Sequence, residues 1–391
     1  MEVVFIYKYL PQYRIDFFQK LKDELLNYGV NLRLVYGKSK GEGSLRGDEV
    51  DLDWAIFVPN KVYKIGKIEL VWQPVMKHVR SADLVIIQPE MKLLLNYFLM
   101  FQRKFQKYKL GFWGHGRNMQ GKPDSSRNKF NNFFLNKCDW WFAYTQSVGR
   151  YLVDHHFPKD KITVVQNAID TASLKKYYNQ ISDDEVFLTK QILKIKGTNT
   201  GIFCGGMYPE KRLDFLISAA RKIKEEVPDF NLILLGAGVD SVKAKEASEK
   251  FEWIHYLGAK FGEERILYFK LASIQLMPGL VGLGILDSFA FETPIVTTNY
   301  PFHSPEIDYL KNWENGVMTE NNLESYANTV IKILKEKSYF NLIEGCKKSS
   351  EIFTIQNMVD NFKEGILSCI AGTNNFSIPK RTGILPVNNA N

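Results

Sequence analysis

Four short segments hold side chains able to do chemistry, and each lies at the end of a run that reads as a strand. They are Pro11-Gln12-Tyr13-Arg14, Trp113-Gly114-His115-Gly116, the stretch GGMYPEKR from Gly205 to Arg212, and MPGLVGLGILDSFAFETPIVTT over 277–298. In the third, Pro209 suits a helix start, which puts Lys211 and Arg212 near a first turn where cations oppose the helix dipole. A phosphate bridging the dipole and the two cations would remove that conflict, whereas ordinary surface charge leaves it in place. In the fourth, Gly279, Gly282 and Gly284 let backbone N–H groups close on a ligand. Asp287 follows them and has the chemistry to accept hydrogen bonds from a ribose, as an acid does in dinucleotide-binding folds. A glycine turn ahead of a buried helix fits the same spacing. His115, between two glycines, is suited to be a positioned hydrogen-bonding group or a base, or a structural loop histidine. The pair Asp51 and Asp53 lies in a polar loop and supplies too few oxygens for a hard metal ion.

The elements that must hold these groups alternate in type. EVVFIY (2–7), NLRLVYG (31–37), DLVIIQP (83–89), KLGFWGHG (109–116), WWFAYT (140–145) and ITVVQNAI (162–169) read as strands. Amphipathic stretches such as RIDFFQKLKDELLNYG (14–29) stand between them. The pattern restarts at GIFCGG (201–206) and runs through NLILLG (231–236), IQLMPG (274–279) and PIVTT (294–298). Repeated βα units imply parallel sheets with helices on both faces, and in such sheets ligands bind beyond the carboxyl ends of the strands. The expected organisation is an α/β protein of two Rossmann-like domains facing each other across a cleft. Residues 1–175 form the first, 176–200 a linker, 201–355 the second, and 356–391 a final helix and a loose, polar tail. Further helices are expected over 91–108 and near 126–137.

The chain has 391 residues and four well-separated cysteines with no CxxC pair. That suits a reduced, cytoplasmic protein without disulfides or a zinc knuckle. MEVVFIYKYLPQYR reads as a first strand and not as a leader, and no apolar run is long enough to cross a bilayer. Charge is uneven: residues 1–170 carry 26 Lys and Arg against 17 Asp and Glu, while the remainder is close to balanced. A basic half points to an anionic partner. Nucleic acid is a poor fit, because no RNP, KH or helix-turn-helix signature accompanies the charge. In MKLLLNYFLMFQRKFQKYK (91–109), the seam Leu94, Phe98, Phe101, Phe105 and Tyr108 is expected to pack on the sheet. Its basic end, Arg103, Lys104, Lys107 and Lys109, is the place for contact with anionic lipid on the inner face of the cell membrane.

Taken together, WGHG, QNAID (166–170), GGMYPEKRLDFLISAA (205–220) and PGLVGLGILDSFAFETPIV (278–296) resemble the GT-B glycosyltransferases of the large retaining family 4. The likeness runs from Met1 to about residue 365. It implies a nucleotide-sugar donor, UDP- or GDP-linked, bound by the second domain. Lys211 and Arg212 would hold the diphosphate with Gly205 and Gly206. Gly282, Leu283 and Gly284 would offer N–H groups to it, and Asp287 would bind the ribose. His115 would face the transferred sugar, and Asn167 falls where the chain passes between domains. Gln12, Tyr13 and Arg14 would help form the pocket of a glycan or lipid-linked acceptor of bacterial surface polysaccharide assembly. The resemblance implies a hexosyl- or N-acetylhexosaminyltransferase that retains the anomeric configuration, with no metal and no cofactor beyond its co-substrate. The chain departs from the pattern at four positions. Gly279 replaces the first acid of the family's Glu-(seven residues)-Glu motif, and Gly206 replaces an Arg. Arg212 and Glu292 stand where Gly is common. Two other readings stay open: a nucleotide-sugar-binding partner without turnover, and an epimerase on the same fold.

Overall fold

The structure is a computed structural model that describes residues 1–38, 49–66, 68–116 and 132–371. Part of the polar loop 38–53, the first half of the helix expected near 126–137 and the tail beyond 371 lie outside the described residues. The first half runs β1 (Glu2–Tyr7), α1 (Ile15–Leu26), β2 (Asn31–Tyr36), β3 (Ile56–Phe57), β4 (Lys61–Ile65), β5 (Ile68–Trp72), α2 (Met76–Val79), β6 (Leu84–Ile87), α3 (Leu94–Gln102), β7 (Lys109–Gly114), β8 (Trp140–Ala143), α4 (Gln146–Asp154) and β9 (Ile162–Val164). The second half runs α5 (Ala172–Gln180), α6 (Asp183–Ile192), β10 (Thr200–Cys204), α7 (Leu213–Glu226), β11 (Asn231–Leu235), α8 (Ser241–Lys250), β12 (Ile254–Tyr256), α9 (Ile266–Leu271), β13 (Ile274–Leu276), α10 (Gly284–Ala290), β14 (Ile295–Thr298), β15 (Gly316–Thr319), α11 (Leu323–Lys335), α12 (Tyr339–Ile352) and α13 (Ile355–Ala371).

Among the described residues the strands form two parallel sheets, in the orders β3-β2-β1-β6-β7-β8-β9 and β12-β11-β10-β13-β14-β15, and β4 and β5 form a separate antiparallel hairpin. The central strands carry unbroken apolar runs, such as Leu84–Ile87 and the four residues 232–235 of β11, because helices cover both faces and these side chains are buried. In each sheet the order reverses beside its first strand, between β1 and β6 and between β10 and β13. A crevice opens at such a point beyond the strand ends.

Residues 172–192 form two helices, and Leu174, Tyr178, Ile181 and Val186 from them pack against the second domain's apolar cluster. α13 returns to the first sheet. Phe362 lies 4.9 Å from the ring centroids of both Trp113 and Phe142, and stacks on the latter with an interplanar angle of 8°. Lys109 Nζ donates to Cys369 O at 2.6 Å at the far end of the same helix.

α3 corrects one expectation. Its buried residues are Leu95, Asn96 and Leu99, while Phe98, Phe101 and Phe105 are exposed. The helix stops at Gln102, so the predicted seam does not continue along one face, and its phenylalanines point away from the sheet.

Candidate functional site

The crevice of the second sheet is built from two chain ends. Beyond β10, Gly205 takes φ +154° and the chain enters a 3-10 turn, Pro209–Lys211. Arg212 follows with φ 59° and ψ 49° and is the N-cap of α7. A non-glycine residue in this left-handed region costs about 1–2 kcal/mol, which is the reason glycine suits the position. The Arg212 side chain is held in place: Nη1 donates to Pro278 O at 3.2 Å and to Asn321 Oδ1 at 2.5 Å. Its guanidinium lies 4.1 Å from the Phe215 ring centroid. Glu292, the other residue standing where Gly is common, has φ 54°.

Lys211 is buried, with 7% of its surface exposed. Its Nζ donates to Leu280 O at 2.6 Å and lies 3.6 Å from Met277 Sδ. No carboxylate pairs with it among the described residues. Burial therefore pulls its pKa down from 10.5 to about 8. An ammonium with three donors and one oxygen partner is a centre of unmet positive charge.

Beyond β13, the chain folds tightly onto this turn. Leu280 N donates to Glu210 O at 2.8 Å. A Cβ on Gly279 would clash with Glu210 O and come within 2.7 Å of Lys211 C. A glutamate cannot stand here on this backbone, which gives the departure at Gly279 a steric cause. The next residues, Gly282, Leu283 and Gly284, lead into α10 and are partly exposed. No acceptor takes their N–H groups among the described residues. His303 fixes this turn: Val281 N donates to its Nδ1 at 3.0 Å, so its Nε2–H donates to Thr298 O at 2.8 Å. Burial lowers the pKa of His303, consistent with that neutral tautomer.

Asp287 lies in α10 with 4% of its surface exposed. Arg265 grips both its oxygens, Nη1 to Oδ2 at 2.7 Å and Nη2 to Oδ1 at 2.8 Å. Burial raises the Asp287 pKa, and the Arg265 charge opposes that shift. A ribose hydroxyl reaching Asp287 would have to share it with Arg265.

On the first domain, His115 follows β7. It is open to solvent on one side, and its ring centroid lies 4.5 Å from that of Tyr144. Protein nevertheless surrounds it closely enough for burial to lower its pKa, with Glu306 opposing and Arg14 reinforcing the shift. This is the environment of a cleft wall. Gln12 and Tyr13 are exposed beyond β1, but Arg14 is 1% exposed and does not line an acceptor surface. Its Nη2 donates to Asn167 Oδ1 at 2.6 Å and its Nη1 to Ala168 O at 3.3 Å, under the Trp113 ring. Asn167 Nδ2 in turn donates to Glu306 Oε1 at 2.5 Å, and Ser147 N at the start of α4 donates to Asp308 Oδ2 at 2.6 Å. The segment 303–309 thus joins the glycine turn of one domain to the hinge and helix start of the other. Asp51 accepts from Tyr36 Oη at 2.8 Å and Lys38 Nζ at 2.7 Å.

Sequence reasoning missed Arg265, His303, Glu306 and Asp308. The last two sit in PEIDY, a polar turn just past a buried strand, which is the position that singled out the other segments.

Residues 198–336 match the family described as glycosyl transferases group 1. An uncharacterized glycosyltransferase of Haemophilus influenzae is 24% identical over 235 residues, which is 57% of this chain and 64% of that protein. A glycosyltransferase from Rickettsia africae superposes with a TM-score of 0.68 at 15% identity, over 95% of this chain and 99% of its own. Anabaena HepE, solved with UDP-glucose, gives a TM-score of 0.68 at 13% identity over 94% and 100%. The fold is GT-B, two Rossmann-like sheets meeting at their carboxyl ends, and its second domain carries the group 1 match.

Proposed function

We propose that this protein is a glycosyltransferase that moves a sugar from a nucleoside-diphosphate donor to an acceptor hydroxyl with retention of configuration. The group 1 match, the GT-B fold and the UDP-glucose complex of HepE support the donor class. The observation that carries the reading is Lys211, a buried cation that among the described residues has no carboxylate partner, near three amides that have no acceptor there, at a glycine turn. A diphosphate would supply the missing negative charge.

As the bond from the anomeric carbon to the diphosphate breaks, charge builds on the leaving oxygen. Lys211 and the amides of Gly282–Gly284 would stabilise it, in place of a metal, and Arg212 would hold the 278–280 loop over Lys211. A leaving phosphate oxygen would take the acceptor proton on the same face of the sugar. His115, kept neutral, would hydrogen-bond the donor sugar from the opposite wall, and Gln12 and Tyr13 would meet the acceptor. Cleft closure would orient both partners and exclude water. The proposed acceptor is lipid-linked or a glycan of a bacterial surface polysaccharide.

Gly279 and the Arg265–Asp287 pair favour a second reading, nucleotide-sugar binding without turnover. A panel of UDP- and GDP-sugars, read by thermal shift and by release of the nucleoside diphosphate, separates the two. Stabilisation with turnover supports the transferase. Stabilisation without turnover on any acceptor supports the binder, and neither response defeats both.

A further inference from the structure

The hairpin β4–β5 and the end of α3 form one outward-facing apolar ribbon. Residues paired across antiparallel strands share a face, and so do residues two apart along each strand. The register pairs Lys61 with Trp72, Tyr63 with Leu70 and Ile65 with Ile68, so these six side chains line one face. The other face carries Val71, which is buried, and the Lys64–Glu69 ion pair. On the first face Tyr63, Ile65 and Ile68 are 49%, 64% and 57% exposed. Trp72 meets Phe98 of α3 edge-on at 6.0 Å, and Phe101 lies one turn further along, 5.5 Å from Phe105. Phe101 and Phe105 are 68% and 72% exposed. Large apolar side chains in a continuous exposed run mark an interaction surface.

The stretch that carries the helical end of this ribbon has charge of one sign. Between Met91 and Lys109 the chain carries five cations and no acid. Arg103 pairs with Asp139, and Lys109 is bonded to Cys369 O. Lys92, Lys104 and Lys107 are exposed and have no carboxylate partner among the described residues, and Lys61 sits on the ribbon itself. A second copy of this chain, docked by two-fold symmetry, would set these lysines against one another. A bilayer with anionic headgroups satisfies both parts at once: the apolar side chains enter the interface and the lysines meet phosphates.

We infer that this ribbon is a docking surface for an anionic membrane. Its place fits the proposed function, on which this inference rests for its purpose. β5 is tied to the chain just past β6, where Val71 N donates to Lys92 O at 2.8 Å. The hairpin therefore projects from the cleft end of the first sheet. A lipid-linked acceptor lying in the membrane would reach the cleft from that side.

The test is cosedimentation of the full chain with vesicles of phosphatidylcholine alone and of phosphatidylcholine with about one third phosphatidylglycerol. It needs no donor, so its outcome is independent of whether the protein transfers a sugar. The expected result is pelleting with the anionic vesicles only, weakened by salt. Ile65→Asp with Ile68→Asp, and Phe101→Ser with Phe105→Ser, should each lower the bound fraction at least tenfold with an unchanged circular dichroism spectrum and melting temperature. Lys104→Glu with Lys107→Glu should remove the preference for anionic lipid. Failure of the wild type to pellet at low salt overturns the inference. So does undiminished binding of the apolar variants, or a dimer in solution that the same variants dissociate.

Discussion

Lys211 should cost the empty protein stability, and removing it should show this directly. Burial takes its pKa from 10.5 to about 8. At 1.36 kcal/mol per unit, keeping it charged at pH 7 costs the folded state about 3 kcal/mol. Lys211→Met deletes that cost but leaves Leu280 O without its donor, a loss of about 1–2 kcal/mol. The variant should therefore be more stable than wild type by about 1–2 kcal/mol at pH 7, a rise of a few degrees in melting temperature. The pH dependence follows from the depressed pKa. Between about 8 and 10.5 the unfolded chain holds a proton that the folded chain has released, so the lysine's penalty disappears as pH rises through that window. The advantage of the variant should shrink over the same range. Nucleotide binding should go the other way. Millimolar UDP or GDP should raise the melting temperature of wild type at pH 7, and the variant should lose that shift. A less stable variant with an intact nucleotide shift would refute the idea that this cation awaits a phosphate.

Other changes test the remaining parts of the site. Gly279→Glu should lower stability by about 3 kcal/mol in thermal melts and should not increase transfer, because the 210–211 backbone stands where its Cβ must go. Arg265→Leu should cost about 3–5 kcal/mol in urea denaturation by leaving the buried Asp287 carboxylate alone, and adding Asp287→Asn should recover most of it. Burial lowers the His115 pKa below 6.5, so the rate of transfer should hold steady down through that pH and fall only below it. A midpoint at or above 6.5 in the profile of kcat/KM would show that His115 is not the neutral group described.

The two-sheet plan was legible because buried strands such as LVIIQP and NLILLG announce themselves by composition. The glycine turn and the Lys-Arg couple were legible because each breaks a local preference, for helix polarity or for side-chain bulk. The partnerships that govern them were not. Arg265 meets Asp287 across 22 residues, and Asn167 meets Glu306 across 139. Nothing local to either sequence marks such pairs. Arg14 shows the same limit from the other side: an arginine in a loop past a strand reads as ligand-facing until the segment at 167–168 closes over it. The phenylalanines of 91–109 misled because the apolar periodicity of a helix shows that it has a greasy face and not which way that face is turned.

α13 has a consequence for how the chain is made. Its Phe362 sits among Phe5, Phe17, Trp113 and Phe142, residues translated long before it. The amino-terminal lobe therefore cannot complete its interior as it leaves the ribosome. It must wait, with an aromatic gap, until the second lobe has been synthesised and α13 delivered.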